Sequence, residues 1–341
     1  SNGSNSQFTA DNPSSGIYQD HLTFEPDSIY GLQGHADVGN DLSVTGQITG
    51  SGGEDFNAQI KWAYLSYIIN DTFTLQAGRQ RLPGFFYSDY LDVGYAYHWI
   101  RPPTEVYIAS VDVFEGAQLL ASSPIGEHWD ANFQLYGGKG DNQNNTILTN
   151  EKVTWLNMYG GAANIQNDWL QLRASFLRMN HASSNASWNN KSQDEDSGGV
   201  PLQFWGLAAH AQINNIFLGT EVILAKWDEP FRADQAQGIT EWRAYFITTG
   251  YQIGQFTPHL TYANSKYTTE DNSLFGGVGT APDTDVGSSS WTLGLRWDFH
   301  PNSAFKIEYL TRQDESDKNL INMIGKLQKV DLISAGFDVV F

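Results

Sequence analysis

The sequence predicts an all-β protein whose strands form one antiparallel up-and-down barrel across a membrane. Three observations support this fold class: the composition, a strict alternation of apolar and polar residues in several segments, and a regular alternation of short and long connections. Aromatic residues make up 13% of the 341 positions and glycine occupies 33 of them. This mixture favours strands and turns over helices. Residues 1–341 are therefore expected to form a single barrel domain.

The clearest predicted strand spans residues 290–299, where every odd-numbered position carries a large apolar side chain. A row of this kind is what a lipid-facing surface requires. The mean hydropathy is −0.40. No segment has the 18 or more consecutive apolar residues of a membrane-spanning helix, and barrel strands with one polar face average to a mildly hydrophilic sequence.

Connections of two kinds separate the predicted strands. The short ones carry turn residues and lie near residues 39–41, 70–71, 124–126, 167–168, 214–215, 254–255 and 301–302. The long ones lie near residues 50–55, 84–109, 138–153, 183–201, 228–239, 267–288 and 314–326. Strict alternation of the two kinds is typical of outer-membrane barrels, with short periplasmic turns and long extracellular loops. A soluble sandwich with Greek-key crossings gives no reason for it.

The number of strands follows from these connections. Fifteen strands fit between Ser28 and Phe341, beginning with residues 28–37 and ending with residues 332–341. Because the first of them leads into a short turn and bacterial barrels usually have an even number of strands, one further strand is expected before it. We therefore predict sixteen strands, with the first in residues 1–26, where the pattern is weakest. Barrels of this size enclose a water-filled lumen.

Composition also excludes several classes of function. The chain has no cysteine, and its 38 acidic and 19 basic residues give a formal charge of −19, which argues against nucleic-acid binding. No phosphate-binding loop, nucleophile elbow, zinc-protease motif or EF-hand pattern occurs, so we expect no enzyme activity, no cofactor and no metal. The first residues lack the features of a signal peptide, which has been removed or was never present.

In length, in the alternation of turns and loops and in its terminal Phe341, the chain resembles the general porins of Gram-negative bacteria. The resemblance is architectural and extends over nearly the whole chain. It implies a homotrimeric channel in the cell outer membrane, and an inward-folded third extracellular loop, residues 84–109, that narrows the pore. The short acidic-aromatic-glycine motif of the enterobacterial members is absent from this loop, so the resemblance carries no solute preference.

The predicted constriction combines this loop with the segment before it. Arg79 and Arg81 resemble the basic cluster with which porins face the carboxylates of the loop, here Asp89, Asp92 and Glu105, with Arg101 also turned to the pore. Such an arrangement produces a transverse field on passing solutes. Strict alternation from Phe73 and Leu75 would put both arginines on the lipid side. We favour a bulge at Gly78 that reverses the phase over a position at the rim or in a subunit contact.

The loop is too aromatic to be fully solvated, so we expect it to pack against another surface. The aromatic residues singled out are Phe85, Phe86, Tyr87, Tyr95 and Trp99. Three roles stay open for these rings: burial against the inner wall, which presents the charged residues of the loop to the pore; only anchoring the loop or filling a subunit contact; and stacking against sugar rings. Charged residues of the predicted lumen face, among them Arg296, Asp298, Lys306 and Glu308, are expected to neutralise one another.

Together these features predict a porin for passive diffusion of small hydrophilic solutes and ions, with a mild cation preference. The alternative is a substrate-specific channel for oligosaccharides or aromatic compounds, and a surface protein with a plugged lumen is a third class. Expected partners are outer-membrane lipid and lipopolysaccharide, two further copies of the chain, the solutes, and the barrel-assembly machinery, for which Phe341 serves as the signal.

Overall fold

The computed structural model describes residues 8–9, 17–18, 21–107, 111–142, 153–183, 198–231, 238–270, 284–315 and 329–341. Fifteen strands form one sheet in which each strand pairs antiparallel with its neighbours in the chain. This is the predicted up-and-down arrangement, and the fold class is confirmed. Two short strands near the N-terminus pair only with each other.

The strands are numbered in chain order. The N-terminal pair is β1 (Phe8–Thr9) and β2 (Ile17–Tyr18). The large sheet contains β3 (Ile29–Gly39), β4 (Leu42–Ser51), β5 (Gln59–Ile68), β6 (Phe73–Arg81), β7 (Val113–Ile125), β8 (Trp129–Asn142), β9 (Val153–Gln166), β10 (Leu170–Ser183), β11 (Val200–Ile213), β12 (Ile216–Phe231), β13 (Gly238–Tyr251), β14 (Phe256–Glu270), β15 (Thr284–His300), β16 (Ser303–Asp314) and β17 (Lys329–Val339).

The described helices are single 3-10 turns at Gly52–Glu54, Ser88–Tyr90 and Gly94–Ala96. None of them offers an apolar span of bilayer length.

Seven tight turns connect the strand pairs from β3–β4 to β15–β16, all at the predicted positions. In the first turn, Asn40 and Asp41 have positive φ angles of 53° and 61°. Two successive residues in this conformation twist the turn in the same sense as the strands, which suits a tight hairpin. We call this edge of the sheet the turn end and the opposite edge, with the long connections, the loop end.

The described residues contain fifteen strands of the large sheet, whereas sixteen were predicted. Strands β3 and β17 are its two edges. Both run towards the turn end, so direct pairing between them would be parallel, and one strand of opposite direction would pair antiparallel with both. Residues 1–7, 10–16 and 19–20 of the predicted first strand lie outside the described residues, and the count of sixteen stays a prediction.

The two faces of the sheet differ as the alternation predicts. On β15, Trp291 and Leu293 are 50% and 58% exposed, while their neighbours Ser290 and Thr292 are 3% and 8% exposed. The outer face is therefore apolar and open, as a lipid-facing surface must be. The inner face is polar, and on this side of the barrel it is covered.

The buried apolar cluster lies inside the barrel. It joins aromatic residues of the connection between β6 and β7 to inner-face side chains of β8–β14, such as Phe204, Ile223 and Phe246. A core of this kind requires the connecting loop to turn inward, because otherwise these wall side chains would face water.

Candidate functional site: a loop docked across the lumen

The connection from Leu82 to Tyr107, which we call the inner loop, crosses the lumen. It leaves β6 and contacts the inner faces of β10–β17, the strands we call the docked wall. Residues 108 and 109 of the predicted loop lie outside the described residues. The inner loop has only two single 3-10 turns, so its path is set by its contacts with the wall.

The first half of the inner loop binds β10, β11 and β12. The carbonyl oxygens of Pro83 and Gly84 accept hydrogen bonds of 2.7 Å from Arg173 Nη2 and 2.6 Å from Ser175 Oγ. The Phe85 and Phe204 rings meet edge to face at 5.3 Å. On β12, the buried carboxylate of Glu221 accepts a hydrogen bond of 2.8 Å from the Phe86 amide and another from the Tyr107 hydroxyl. These contacts satisfy backbone groups that would otherwise be buried without partners.

The second half of the inner loop is bound by charged side chains of β15 and β16. Arg296 Nη1 donates to the carbonyl oxygens of Tyr95 and Tyr97 at 2.8 and 2.7 Å. Lys306 Nζ donates to those of Gly94 and Trp99 at 2.7 and 2.6 Å. Glu308 accepts from the Ile100 amide at 2.8 Å. Hydrogen bonds with one charged partner are stronger than neutral ones, so these three residues fix the course of the loop backbone.

These wall charges do neutralise one another in part, as predicted. Arg296 Nη2 lies 2.7 Å from Asp298, and Lys306 Nζ lies 2.8 Å from Asp338. Their hydrogen bonds to the loop backbone were not predicted. No sequence signal distinguishes a charge that binds a loop from one that faces water, because both stand at polar positions of an alternating strand.

Most of the aromatic residues singled out in the loop are anchors. Phe85 is 8% exposed, Tyr87 5% and Trp99 1%. The Trp99 indole nitrogen donates to Thr261 Oγ1 at 2.8 Å, and its ring meets that of Phe246 at 5.5 Å. Phe86 is half-buried, and Tyr95 is half-buried and donates to the Pro301 carbonyl at 2.7 Å. The contacts thus support the anchoring role for four of the five rings, while Phe86 borders open space.

His98 sits between the inner loop and β12–β14. Its Nε2 lies 3.0 Å from Thr248 Oγ1, and its ring lies 4.5 Å from Phe217 and 4.7 Å from His259. Burial, assisted by the electrostatic effects of His259 and Lys306, lowers the pKa of His98 well below its ordinary value. The loop therefore docks with a neutral imidazole at this position.

Arg79 and Arg81, the predicted basic cluster, separate. The register of β6 with β5 and with β7 runs through Gly78 without a shift, although Gly78 has a φ of +136°. Arg79 stays on the outer face with Leu75, and its Nη1 lies 3.2 Å from Glu115. The predicted phase reversal at Gly78 is thus wrong for Arg79. A register shift instead lies on the other side of β5, where Lys61 is the extra residue.

Arg81, the last residue of β6, does reach the inner loop. Its guanidinium forms ion pairs with Asp92 and, at 2.8 Å, with Asp112. Asp112 also binds Lys61 at 2.9 Å. Arg81 and Asp92, two of the charges predicted to face each other across the pore, are therefore in direct contact, and the field between them largely cancels.

Arg101 and Glu105 are engaged deep in the structure. Arg101 is 8% exposed and pairs with Asp27, the Nε–Oδ1 distance being 2.9 Å, and it donates to Ser334 Oγ on β17 at 3.0 Å. Burial alone would lower the pKa of Arg101, but the charge of Asp27 outweighs it and raises the pKa. Glu105 is 1% exposed and lies 3.4 Å from Arg312 Nε. No sequence signal pointed to Asp27, which lies next to the weakly patterned N-terminal segment.

Asp89 differs from the other charged residues of the predicted constriction. It is exposed, and it has no hydrogen bond or ion pair within the described ranges. Together with Phe86 and Tyr90 it borders a cavity of about 350 Å³ whose far side is formed by polar residues of β8–β10, including Gln134, Asn164 and Arg173. Burial and the charge of Asp89 raise the pKa of Tyr90 to about 12, so Tyr90 stays neutral.

A second cavity, of about 480 Å³, lies beside the first on the turn-end side of the inner loop and shares Phe86 and Tyr90 with it. In the part of the chain that the structure describes, no group of three or more His, Asp and Glu side chains is placed to bind a metal ion. The geometry is that of a lumen partly filled by a rigid loop, with polar space left beside it.

This architecture is similar to that of several solved outer-membrane channels. The outer-membrane channel DcaP of Acinetobacter baumannii superposes with a TM-score of 0.57 and 13% identity, covering 95% of this chain and 89% of that one. Salmonella typhi OmpF in complex with daunomycin superposes with a TM-score of 0.56 and 16% identity, covering 91% of this chain and 89% of that one. The anion-selective porin from Comamonas acidovorans superposes with a TM-score of 0.54 and 13% identity, covering 96% of this chain and 92% of that one.

The chain has a porin fold. At these identities the likeness extends to the fold alone. No family model matches the sequence, and no curated protein matches it.

Proposed function

We propose that this porin fold acts as an outer-membrane channel for passive diffusion of small hydrophilic solutes and ions. The observation that supports it best is the inner loop, which is bound to the docked wall through eight strands and leaves polar space beside Asp89 and Tyr90. A loop fixed in this way sets an upper size for solutes without closing the lumen. The constriction would be lined by Asp89, Tyr90 and the polar side chains of β8–β10.

A direct test is reconstitution of the purified protein in planar lipid bilayers. Stepwise increases in conductance are expected as single channels insert. Absence of any conductance from detergent-purified, folded protein would contradict the channel and would favour a surface protein with a plugged lumen.

A mild preference for cations follows from Asp89. Because Arg81 is paired with Asp92 and Asp112, and Arg173 on the far side of the cavity is buried, Asp89 is the exposed charge that a passing ion meets there, and a low-dielectric wall strengthens its field. We expect Asp89→Asn to move the reversal potential under a KCl gradient towards zero.

The matched control is Asp71→Asn, which removes an equally exposed carboxylate from a tight turn at the end of β5. It should leave the reversal potential unchanged. A clear anion preference of the unaltered protein, or equal shifts in the two variants, would contradict the role of Asp89.

The proposal extends to the surroundings of the barrel. Its apolar outer face, with Trp291, Leu293 and Phe337 open to the outside, would contact outer-membrane lipid and lipopolysaccharide, and a homotrimer would cover part of it. Phe341 is fully exposed at the end of β17 and would be read by the barrel-assembly machinery. Deletion of Phe341 should lower the yield of assembled barrel in the outer membrane more than it alters single-channel conductance. An unchanged yield would contradict that role.

A further inference from the structure

The cavity of about 480 Å³ at the turn end has the size of a small-molecule site. It lies on the turn-end side of the inner loop, between that loop and the inner faces of β10–β15. It adjoins the cavity beside Asp89, with which it shares Phe86 and Tyr90. A binding role for this cavity would make the proposed channel function more specific, and it rests on that function.

One side of the cavity is a row of flat rings. The ring of Phe86 lies 6.1 Å from that of His210 at an interplanar angle of 23°, and His210 lies 6.1 Å from Phe217 at 16°. His98 continues the row, 4.5 Å from Phe217. Because the first three planes are nearly parallel, they offer neighbouring apolar surfaces of similar orientation. Such surfaces suit another flat-sided ring.

The rest of the lining supplies neutral polar groups. The amides of Gln171, Gln212 and Gln252 lie at the exposed rim, and the hydroxyl of Thr257 lies deeper. An amide side chain offers two donors and a two-lone-pair acceptor, so a hydroxyl group of a ligand can be bound in either sense.

The two charged residues that lie deep in the cavity cancel, and the remaining charged residue of the lining, Asp168, is exposed in the turn between β9 and β10. Arg296 is in contact with Asp298, at 2.7 Å from Nη2 to Oδ1, and its other donors go to the carbonyl oxygens of the inner loop. The field deep in the cavity is therefore weak, and the solvated carboxylate of Asp168 at its edge disfavours anions. The chemistry favours a neutral ligand that has both a flat apolar face and many hydroxyl groups.

We propose that this cavity is a binding subsite for the pyranose rings of a neutral oligosaccharide. The axial C–H face of a pyranose packs on the rings of Phe86, His210 and Phe217, while the equatorial hydroxyl groups reach the glutamine amides. A simple aromatic solute would use the rings and leave the amide rim without partners. A linear polyether of equal size has no ring face to pack on the flat rings and no hydroxyl groups along its chain to donate to the amide oxygens of the rim.

The test is current block of single channels in planar bilayers by maltotriose, with polyethylene glycol of matched hydrodynamic radius and benzyl alcohol as comparison probes. Maltotriose should reduce the current in a saturable manner. His210→Gln and Phe217→Leu keep the side chains at similar volume but remove the flat ring. Each should raise the apparent Kd for block about 3- to 10-fold.

Tyr267→Leu is the control, since it removes an inner-face ring of β14 at the loop end, remote from the cavity. Its block by maltotriose should equal that of the unaltered protein. Block that is insensitive to both His210→Gln and Phe217→Leu overturns the subsite, as does stronger block by benzyl alcohol or by the polyether. Channels that conduct normally but show no saturable block overturn the subsite alone, whereas absence of channels overturns the proposed function itself.

Discussion

Two walls of one sheet use the same alternating strands for different purposes. On the docked wall, β10–β17, polar side chains of the inner face bind the backbone of the inner loop, as Ser175, Glu221 and Lys306 do. On the opposite side, β3–β7, which we call the bare wall, inner-face side chains bind each other across strands. His35 lies 3.0 Å from Thr45, and Gln76 bonds Ser66 at 3.0 Å and Gln118 at 2.6 Å.

The difference shows how a wide barrel obtains a rigid interior without a filled core. Lateral hydrogen bonds between neighbouring strands suffice where the wall faces open space. Where a loop must be fixed, charged residues are set against its carbonyl and amide groups, and aromatic rings are buried with them. Removal of a docked-wall contact should therefore alter the pore, and removal of a bare-wall contact should not.

The largest effect is expected from Lys306→Met. Lys306 is fully buried and binds two loop carbonyl oxygens and Asp338. Loss of the ammonium leaves a carboxylate and two carbonyl groups without their partner, which costs about 3–5 kcal/mol of docking free energy. Cleavage of the inner loop by added protease should become detectable, and single-channel current should become noisy.

Combining Lys306→Met with Asp338→Asn removes the uncompensated carboxylate and should recover part of the loss. The bare-wall counterpart is Gln76→Met, which should leave the protease resistance of the loop and the current noise as they are. Equal loosening by Lys306→Met and Gln76→Met would mean that the two walls do not differ in this respect.

Trp99→Ala should have an effect of similar or slightly smaller size. The ring is 1% exposed, and its truncation leaves a cavity beside Phe246 and removes the hydrogen bond to Thr261, at a cost of about 3–5 kcal/mol. Conductance should rise and fluctuate as the loop departs from the wall. Trp62→Ala on the bare wall is the matched control, and a comparable change in conductance there would contradict the assignment.

A smaller effect is expected from acid. Because the docked loop lowers the pKa of His98, docking favours the neutral imidazole and is unaffected at pH values above the ordinary pKa of about 6.5. As the pH falls below that value, the undocked loop binds the proton more readily, and docking weakens by up to about 1.4 kcal/mol per pH unit. Four nearby groups that are positive or can become so also lower the pKa of His98: His259, Lys306, His210 and Arg296.

The measurement is single-channel current noise between pH 7 and pH 5. Noise should increase on acidification in the unaltered protein and should depend less on pH in His98→Gln, whose amide still reaches Thr248. A pH response that His98→Gln leaves intact would assign the effect to another group.

Much of the fold could be predicted from local pattern, because strand phase and turn residues are local properties. The seven tight turns and the open face of β15 follow directly from residues such as Asn40 and Asp41 and the row from Trp291 to Phe299. The predicted long connections near 228–239 and 267–288 are shorter in the structure, where β12 continues to Phe231 and β15 begins at Thr284. Strands continue past the apolar band because backbone pairing does not depend on the side chains being apolar.

The candidate site was predictable only in outline. The aromatic content of the loop indicated that it would pack on something, but not that Glu221 and Lys306 would bind its backbone, since those contacts join residues more than 100 positions apart. The pairing of Arg101 with Asp27 is of the same kind. The predicted inward position of Arg79 depends on a bulge at Gly78. The extra residue is instead Lys61 on the neighbouring strand, so Arg79 keeps its place on the outer face.

The lateral hydrogen bonds of the bare wall have a practical consequence for altering the channel. Gln33 and Gln118 lie on the inner face of this wall, and the partners of their side chains, Gln47 and Gln76, lie on the wall itself and not on the inner loop. Charges or bulky groups can therefore be introduced at these positions to change what passes, while the element that fixes the width of the passage keeps all of its anchors. A pore whose selectivity and aperture can be varied independently is a suitable starting point for engineered nanopores.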